Sequence, residues 1–275
     1  MNKTIKKLIP LSVLFSALVS TSASAFETSK LEKVIKGEQR TAKYAERDQY
    51  RHPQQTLEFF GIKDDMTVVE ISPGGGWYTE ILAPYLRDNG TYIAAGFNPQ
   101  SEVEYYSRNA KAFAEKLKSN PAVYDKTQVT IMEPPSMLDI AKAGSADMVV
   151  SFRNTHGWHR RGHSEAVYGA IFKALKPGGI FGVVQHRAGA KVPADTSGKL
   201  GYLKQADVIA IAEKAGFKLV ATSEINANPK DTKDHPDGVW ALPPGYRHGD
   251  KDKQKYMAIG ESDRMTLKFV KPNKS

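Results

Sequence analysis

Two stretches of this chain carry side chains and turns that could do chemistry. The first is Phe152–His163, which packs His156, His159 and His163 together with Arg153, Arg160, Arg161 and Trp158 into twelve residues. A neutral imidazole can take up a proton near physiological pH, and a guanidinium can hold a carboxylate or phosphate through paired hydrogen bonds. His156 and Arg153 lie nearest the end of the apolar run 147–152, so they are the candidate catalytic pair, for proton transfer and for anion binding. The same residues also suit a polar loop that faces solvent and caps the next helix. The histidine spacing, with His186 added, would offer imidazole ligands for zinc or copper. Gly157 and Gly162 argue against the continuous helix that spacing needs, so no metal site is expected.

The second stretch is residues 68–79. Val68, Val69 and Ile71 form a β-branched run that reads as a buried strand, and Gly74, Gly75 and Gly76 break it. A helix with Tyr78, Ile81, Leu82 and Tyr85 on one face follows. Strand, glycine turn and helix bring backbone N–H groups close to a ligand at the carboxyl end of the strand. A plain structural turn would use the same glycines. A nicotinamide-type fingerprint would need glycine at 74, 76 and 79, and Thr79 occupies the third position.

Alternating elements must position these groups. Strands are expected at 67–71, 91–95, 128–132, 147–152, 180–185, 218–224 and 265–270. Helices are expected at 77–86, 101–119, 136–143, 164–175 and 205–215, after N-terminal helices over Leu31–Arg47 and Gln54–Phe60. Repeated strand–helix units with short connections imply a mainly parallel α/β sheet covered on both faces. The long connection Asn226–Asp263 is rich in Pro, Gly, Asp and Lys, a composition and length typical of functional or mobile segments. Within it, Trp240–Tyr246 is an aromatic–proline segment suited to covering a pocket mouth.

With these motifs in order, the chain resembles the class I S-adenosylmethionine-dependent methyltransferase family. Glu70-Ile-Ser72-Pro-Gly74-Gly75-Gly76 stands where that family has its acidic, glycine-spaced loop. Gly90–Ala95, Asp147–Phe152 and Leu175-Lys-Pro-Gly-Gly179 match its second strand, its fourth strand and the turn before its fifth. Arg51-His-Pro53, Gly75–Pro84 and Gly260–Met265 resemble more narrowly an exported branch of the family. The resemblance implies a three-layer, Rossmann-like sandwich around a seven-stranded sheet with a reversed last strand. It implies S-adenosyl-L-methionine as cofactor, held by Glu70, Ser72, Gly74, Gly75, Gly76 and Asn98, and methyl transfer to an unidentified small-molecule acceptor, for which the arginines of 152–163 suit an anionic one. Two positions depart from the family pattern: Ser72 replaces the first loop glycine, and Gly96 stands where an acid would accept the ribose hydroxyls. Asn98 is then the nearest group to serve the ribose. Those departures leave a second reading, an exported non-catalytic binding protein on the same fold.

Lys3, Lys6 and Lys7, the apolar run from Leu8 and Ala23-Ser-Ala25 read as a cleavable signal peptide over residues 1–25. A helical segment over 26–60 and an α/β domain over 61–275 are expected to follow, in a periplasmic or secreted protein without a stable membrane anchor. The chain has no cysteine, which excludes a disulfide framework and thiolate metal sites. The net charge of +9 falls to about +6 once the three leader lysines are removed, and the basic residues are dispersed. A solvated basic surface is expected, rather than a nucleic-acid footprint.

Overall fold

A computed structural model describes residues 30–189 and 198–273. The segment read as a signal peptide lies outside them. The helices before the sheet are α1 (30–35), α2 (Ala42–Ala45), α3 (Asp48–Arg51) and α4 (Pro53–Phe60). The first half of the α/β region runs β1 (Thr67–Ile71), α5 (Thr79–Leu86), β2 (Thr91–Gly96), α6 (Glu104–Ser119), α7 (Pro121–Tyr124) and β3 (Gln128–Ile131). The second half runs β4 (Ala146–Phe152), α8 (Thr155–Arg160), α9 (Ser164–Ala174), β5 (Leu175–His186), α10 (Gln205–Lys214), β6 (Lys218–Ser223), α11 (Lys253–Ile259) and β7 (Arg264–Val270).

The seven strands form one sheet in the order β3-β2-β1-β4-β5-β7-β6. Pairing is parallel from β3 through β5, and β7 runs antiparallel to both β5 and β6. Side chains alternate across a strand, and two apolar clusters accordingly line the two faces. One gathers Val69, Ile71, Val149 and Val183 with α9 and α10 residues such as Ile171 and Val208. The other gathers Val68, Ala94, Met148 and Val150 with Leu57, Ile81, Leu82 and Phe113. Leu31 belongs to this second cluster, so the N-terminal helices pack into the same core as the sheet.

Two expectations differ from the structure. The single helix over 31–47 is two short ones, α1 and α2, because the Thr41 N–H and hydroxyl bond the buried Glu80 carboxylate at 2.9 and 2.5 Å instead of continuing the helix. No helix forms over 136–143. Glu133 and Met137 instead exchange backbone hydrogen bonds of 2.8 and 2.9 Å around Pro134-Pro135, which has no N–H to offer. The connection 226–263 is packed in place by buried polar hubs. Asp231 accepts from the Tyr202 hydroxyl at 3.0 Å and from the Asp263 N–H at 2.8 Å. The Asn226 amide donates to Thr56 and Thr266 at 2.9 and 3.0 Å.

Candidate functional site

Strand order reverses between β1 and β4, and ligands of open parallel sheets bind at such a point, beyond the carboxyl ends of the strands. Here β1 runs into Ser72-Pro-Gly-Gly-Gly76 and β4 into Arg153-Asn154. The Asn154 amide donates to the Ile71 carbonyl at 2.9 Å and ties the two strand ends together. A cavity of about 590 Å³ opens above them.

The three glycines of the loop do different work. Gly74 has φ +59°, and a Cβ there would meet nothing within 4 Å, so it borders open space. Gly76 has φ +80° and leaves room for the Lys116 stem and Phe113 of α6. At Gly75 a Cβ would collide with the Tyr44 hydroxyl, which donates to the Gly75 carbonyl at 2.9 Å. The N–H groups of Gly74 and Gly75 make no backbone hydrogen bond among the described residues. Ser72, at φ +48°, lies in a region that non-glycine residues seldom adopt, and its buried hydroxyl has no partner.

Glu70, one residue before the strand end, is buried on the cavity wall and accepts from Tyr92 at 2.5 Å and Thr79 at 3.2 Å. Burial pushes its carboxyl up to about 7, against the pull of those two hydroxyls. Asn98 is not brought into the cavity wall. Its carboxamide oxygen accepts from the Gln100 N–H at 2.9 Å and its nitrogen meets Met137 Sδ at 3.7 Å. Gly96 ends β2 with open space where a side chain would be.

Arginine dominates the wall. Arg47, Arg51, Arg153, Arg160, Arg161 and Arg247 all face the cavity, and Glu70 is the one carboxylate among its described lining residues. Behind the wall, Glu261 binds Arg47 at 2.6 Å, Arg51 at 3.2 Å and Arg264 at 2.9 Å. Burial alone would raise the Glu261 carboxyl, yet the guanidinia of Arg264, Arg51, Arg47 and Arg153 hold it at about 2. Arg51 and Glu261 are 210 residues apart, so this contact joins two segments distant in sequence, Arg51-His-Pro53 and Gly260–Met265. Arg153 takes φ +64°, anchored by its N–H on the Val184 carbonyl at 2.7 Å. Burial and the nearby Arg264 lower its pKa to about 10.

His156 lies on the cavity wall with His186, their ring centroids 5.5 Å apart. Of the four histidines considered as ligands, these two come together, while His159 and His163 stand outside the cavity lining. Helix α8 does form through Gly157 and stops before Gly162, which has φ +71°. The Gln185 amide donates to the Gly201 carbonyl at 2.9 Å and sits 3.4 Å from His156 Nδ1. With its orientation set by Gly201, that amide presents N–H to Nδ1, so the His156 proton belongs on Nε2 (a hydrogen-bond inference). Burial lowers the His156 pKa to about 4, and burial together with the neighbouring His156 lowers that of His186 as well. His156 is therefore a neutral donor through physiological pH and a weak base.

Trp77 lines the cavity, but its ring is already engaged. Arg40 and Arg51 lie over its ring at 5.0 and 4.8 Å, and its N–H donates to the Tyr44 carbonyl at 2.9 Å. Phe97 and Tyr106, stacked at 4.7 Å, form the aromatic wall instead. Sequence reading missed Arg47, Arg264 and Glu261. The acid and arginine within 260–265 were visible, but nothing in the sequence paired them with residues near 50.

No family model matches the chain, and no curated protein matches it in sequence. Solved structures do match it in fold. A SAM-dependent methyltransferase from Aquifex aeolicus aligns with a TM-score of 0.55 at 15% identity, over 89% of this chain and 99% of its own. Phosphoethanolamine N-methyltransferase 2 of Haemonchus contortus, in complex with S-adenosyl-L-methionine, aligns at 0.55 and 15%, over 82% of this chain and 53% of its own. The [4+2]-cyclase SpnF aligns at 0.57 and 14%, over 92% and 96%. The chain has the fold of the class I S-adenosylmethionine-dependent methyltransferases. SpnF shows that this fold also carries other chemistry, so the reaction has to be argued from the site.

Proposed function

We propose that this protein transfers the methyl group of S-adenosyl-L-methionine to an anionic small molecule. The observation that carries the reading is Gly74, left-handed and open to the cavity at the switch point, facing a wall of arginines. The residues fit the cofactor at its amino-acid end: among the described residues the Gly74 and Gly75 N–H groups make no backbone hydrogen bond and the Ser72 hydroxyl has no partner. When bound, the cofactor supplies an electrophilic methyl on a sulfonium. Arg153 holds and orients the acceptor's anionic group, and His156 donates to it from Nε2. Phe97 and Tyr106 keep water from one side. Because His156 is a weak base, the site suits an acceptor atom that is already nucleophilic when bound. Catalysis is then mainly proximity and orientation.

At the ribose end the fit is poorer, since Gly96 brings no carboxylate and Asn98 is committed to its own turn. That observation favours the second reading, a binding protein that does not turn over. A Gly96→Asp variant separates the two. The open space at Gly96 admits the side chain, and a charge-assisted hydrogen bond adds about 1.5–3 kcal/mol. Under the enzyme reading, cofactor affinity by calorimetry should rise roughly tenfold or more. Unchanged or weaker binding would place the ribose elsewhere and count against it.

The leader-like N-terminus supports an exported protein, periplasmic or secreted. Among the described residues no helix is long and apolar enough to cross a membrane. Protein from the native host should begin at Phe26, and recovery of soluble protein that retains Met1–Ala25 would contradict export. Nucleic acid is not a proposed partner, because the arginines converge on one cavity rather than a stripe.

A further inference from the structure

A second cavity of about 520 Å³ lies beside the first, and Arg160, Trp240 and Arg247 belong to the walls of both. The two volumes therefore meet at the mouth built by α8 and the connection 226–263. Arg47 and Arg51 already share Glu261. Arg153, Arg160 and Arg161 form no ion pair among the described residues, and Arg247 reaches only Asp237, at 3.7 Å. Asp237 also receives His248 at 3.1 Å. The guanidinia are held in place: Arg161 lies 5.3 Å over Tyr106 and Arg247 lies 5.2 Å over Trp240. Against these four arginines stand Glu70 on one wall and Asp237 on the other. Arg160, Arg161 and Arg247 are exposed, so water solvates them in the free protein, and a ligand long enough to reach from Arg153 to the mouth would gain a second charge-assisted contact there.

We infer that the ligand of this site carries at least two oxyanionic groups, one held at the cavity base by Arg153 and His156, the other at the mouth between Arg160 and Arg247. That the ligand is the methyl acceptor rests on the function proposed above; the two-anion geometry does not. Planar guanidinia recognise carboxylates and phosphates alike, so the shared chemistry is an oxyanion pair spaced along one molecule. Trp240 lines both cavities, with the His156 ring edge-on to it at 5.7 Å and Arg247 over it at 5.2 Å.

Calorimetry without cofactor, at fixed ionic strength, tests this with inorganic phosphate, pyrophosphate and tripolyphosphate, and in parallel with acetate, succinate and citrate. In at least one series the multiply charged member should bind about tenfold tighter than the singly occupied probe, as expected for one further close charge pair. The tighter series identifies the anion as phosphate or carboxylate. In an Arg160→Gln/Arg247→Gln variant the gain should disappear, while phosphate or acetate binding changes less than about twofold. Arg153→Gln should weaken every member. A Lys111→Gln/Lys118→Gln variant, altered on α6 away from the mouth, should keep the gain, which excludes general attraction to a basic protein. No gain with charge, equal loss of all members in the mouth variant, or loss of the gain in the α6 variant overturns the inference. A cofactor titration of the same wild-type sample separates the outcomes: cofactor binding without anion discrimination sinks this inference alone, and discrimination without cofactor binding sinks the methyl-transfer reading alone.

Discussion

Replacing Glu261 by Gln should lower the thermal midpoint at pH 7 by roughly 10 °C. Glu261 is the shared carboxylate of Arg47, Arg51 and Arg264, and Arg51 and Arg264 are 4% and 1% exposed. Removing one member of a buried ionic cluster typically costs about 3–5 kcal/mol, because the partners stay buried without compensation. The pKa depression gives a similar figure. A carboxyl lowered from 4.5 to about 2 contributes on the order of 3 kcal/mol. In a domain of this size each kcal/mol shifts the midpoint by about 2–4 °C. The sign with pH follows: the folded value is depressed, so the contribution is fully present above the unfolded value near 4.5 and is lost as pH falls through 2. Urea midpoints at pH 7, 4.5 and 3 should show the gap between variant and wild type shrinking by roughly half at pH 3. A Gln variant as stable as wild type at pH 7 would mean the arginines do not depend on this carboxylate.

A Gly74→Val variant should bind S-adenosylmethionine at least about 100-fold more weakly, a loss of about 3 kcal/mol, while still folding. A side chain at φ +59° costs about 1–3 kcal/mol of backbone strain. Nothing lies within 4 Å of the new Cβ, so the strain comes without a clash in the free protein. The valine instead occupies the space at the loop where the cofactor's amino-acid end would lie. Gly144 provides the control, with φ +65° and equally empty surroundings but no place in the cavity wall. Gly144→Val should carry a comparable loss of stability and no loss of binding. Equal binding losses in the two variants would assign the effect to strain.

The strands and their order of appearance were legible because Val68, Val69 and Ile71, and Met148, Val149 and Val150, form apolar runs bounded by turn residues. Such runs need both faces of a parallel sheet covered. The glycine loop was legible for a local reason, since a left-handed backbone at the strand end selects glycine. Long-range charge was not legible. Glu80 reads as an exposed helix acid, yet it is buried and binds Thr41 and Lys116, and its pull on Thr41 breaks the N-terminal helix. Arg47, Arg51 and Arg264 lie in segments far apart in sequence, and only the fold brings them around Glu261. Asn98 shows the remaining gap. Its position near the end of β2 was readable, but the direction of its amide is set by a hydrogen bond to Gln100 two residues on. His156 was placed correctly beside the strand end, whereas its neutral, donor character depends on burial and on Gln185, which sequence does not show.

The central claim is that the cavity above β1 and β4 uses S-adenosylmethionine. Isothermal titration of the purified protein lacking residues 1–25 with S-adenosylmethionine, and then with S-adenosylhomocysteine, tests it most directly. The account predicts saturable binding of both at one site per chain, abolished by Gly74→Val and strengthened by Gly96→Asp. No binding of either ligand to the wild type, and none to Gly96→Asp, would contradict the methyltransferase reading and leave a binding protein on this fold.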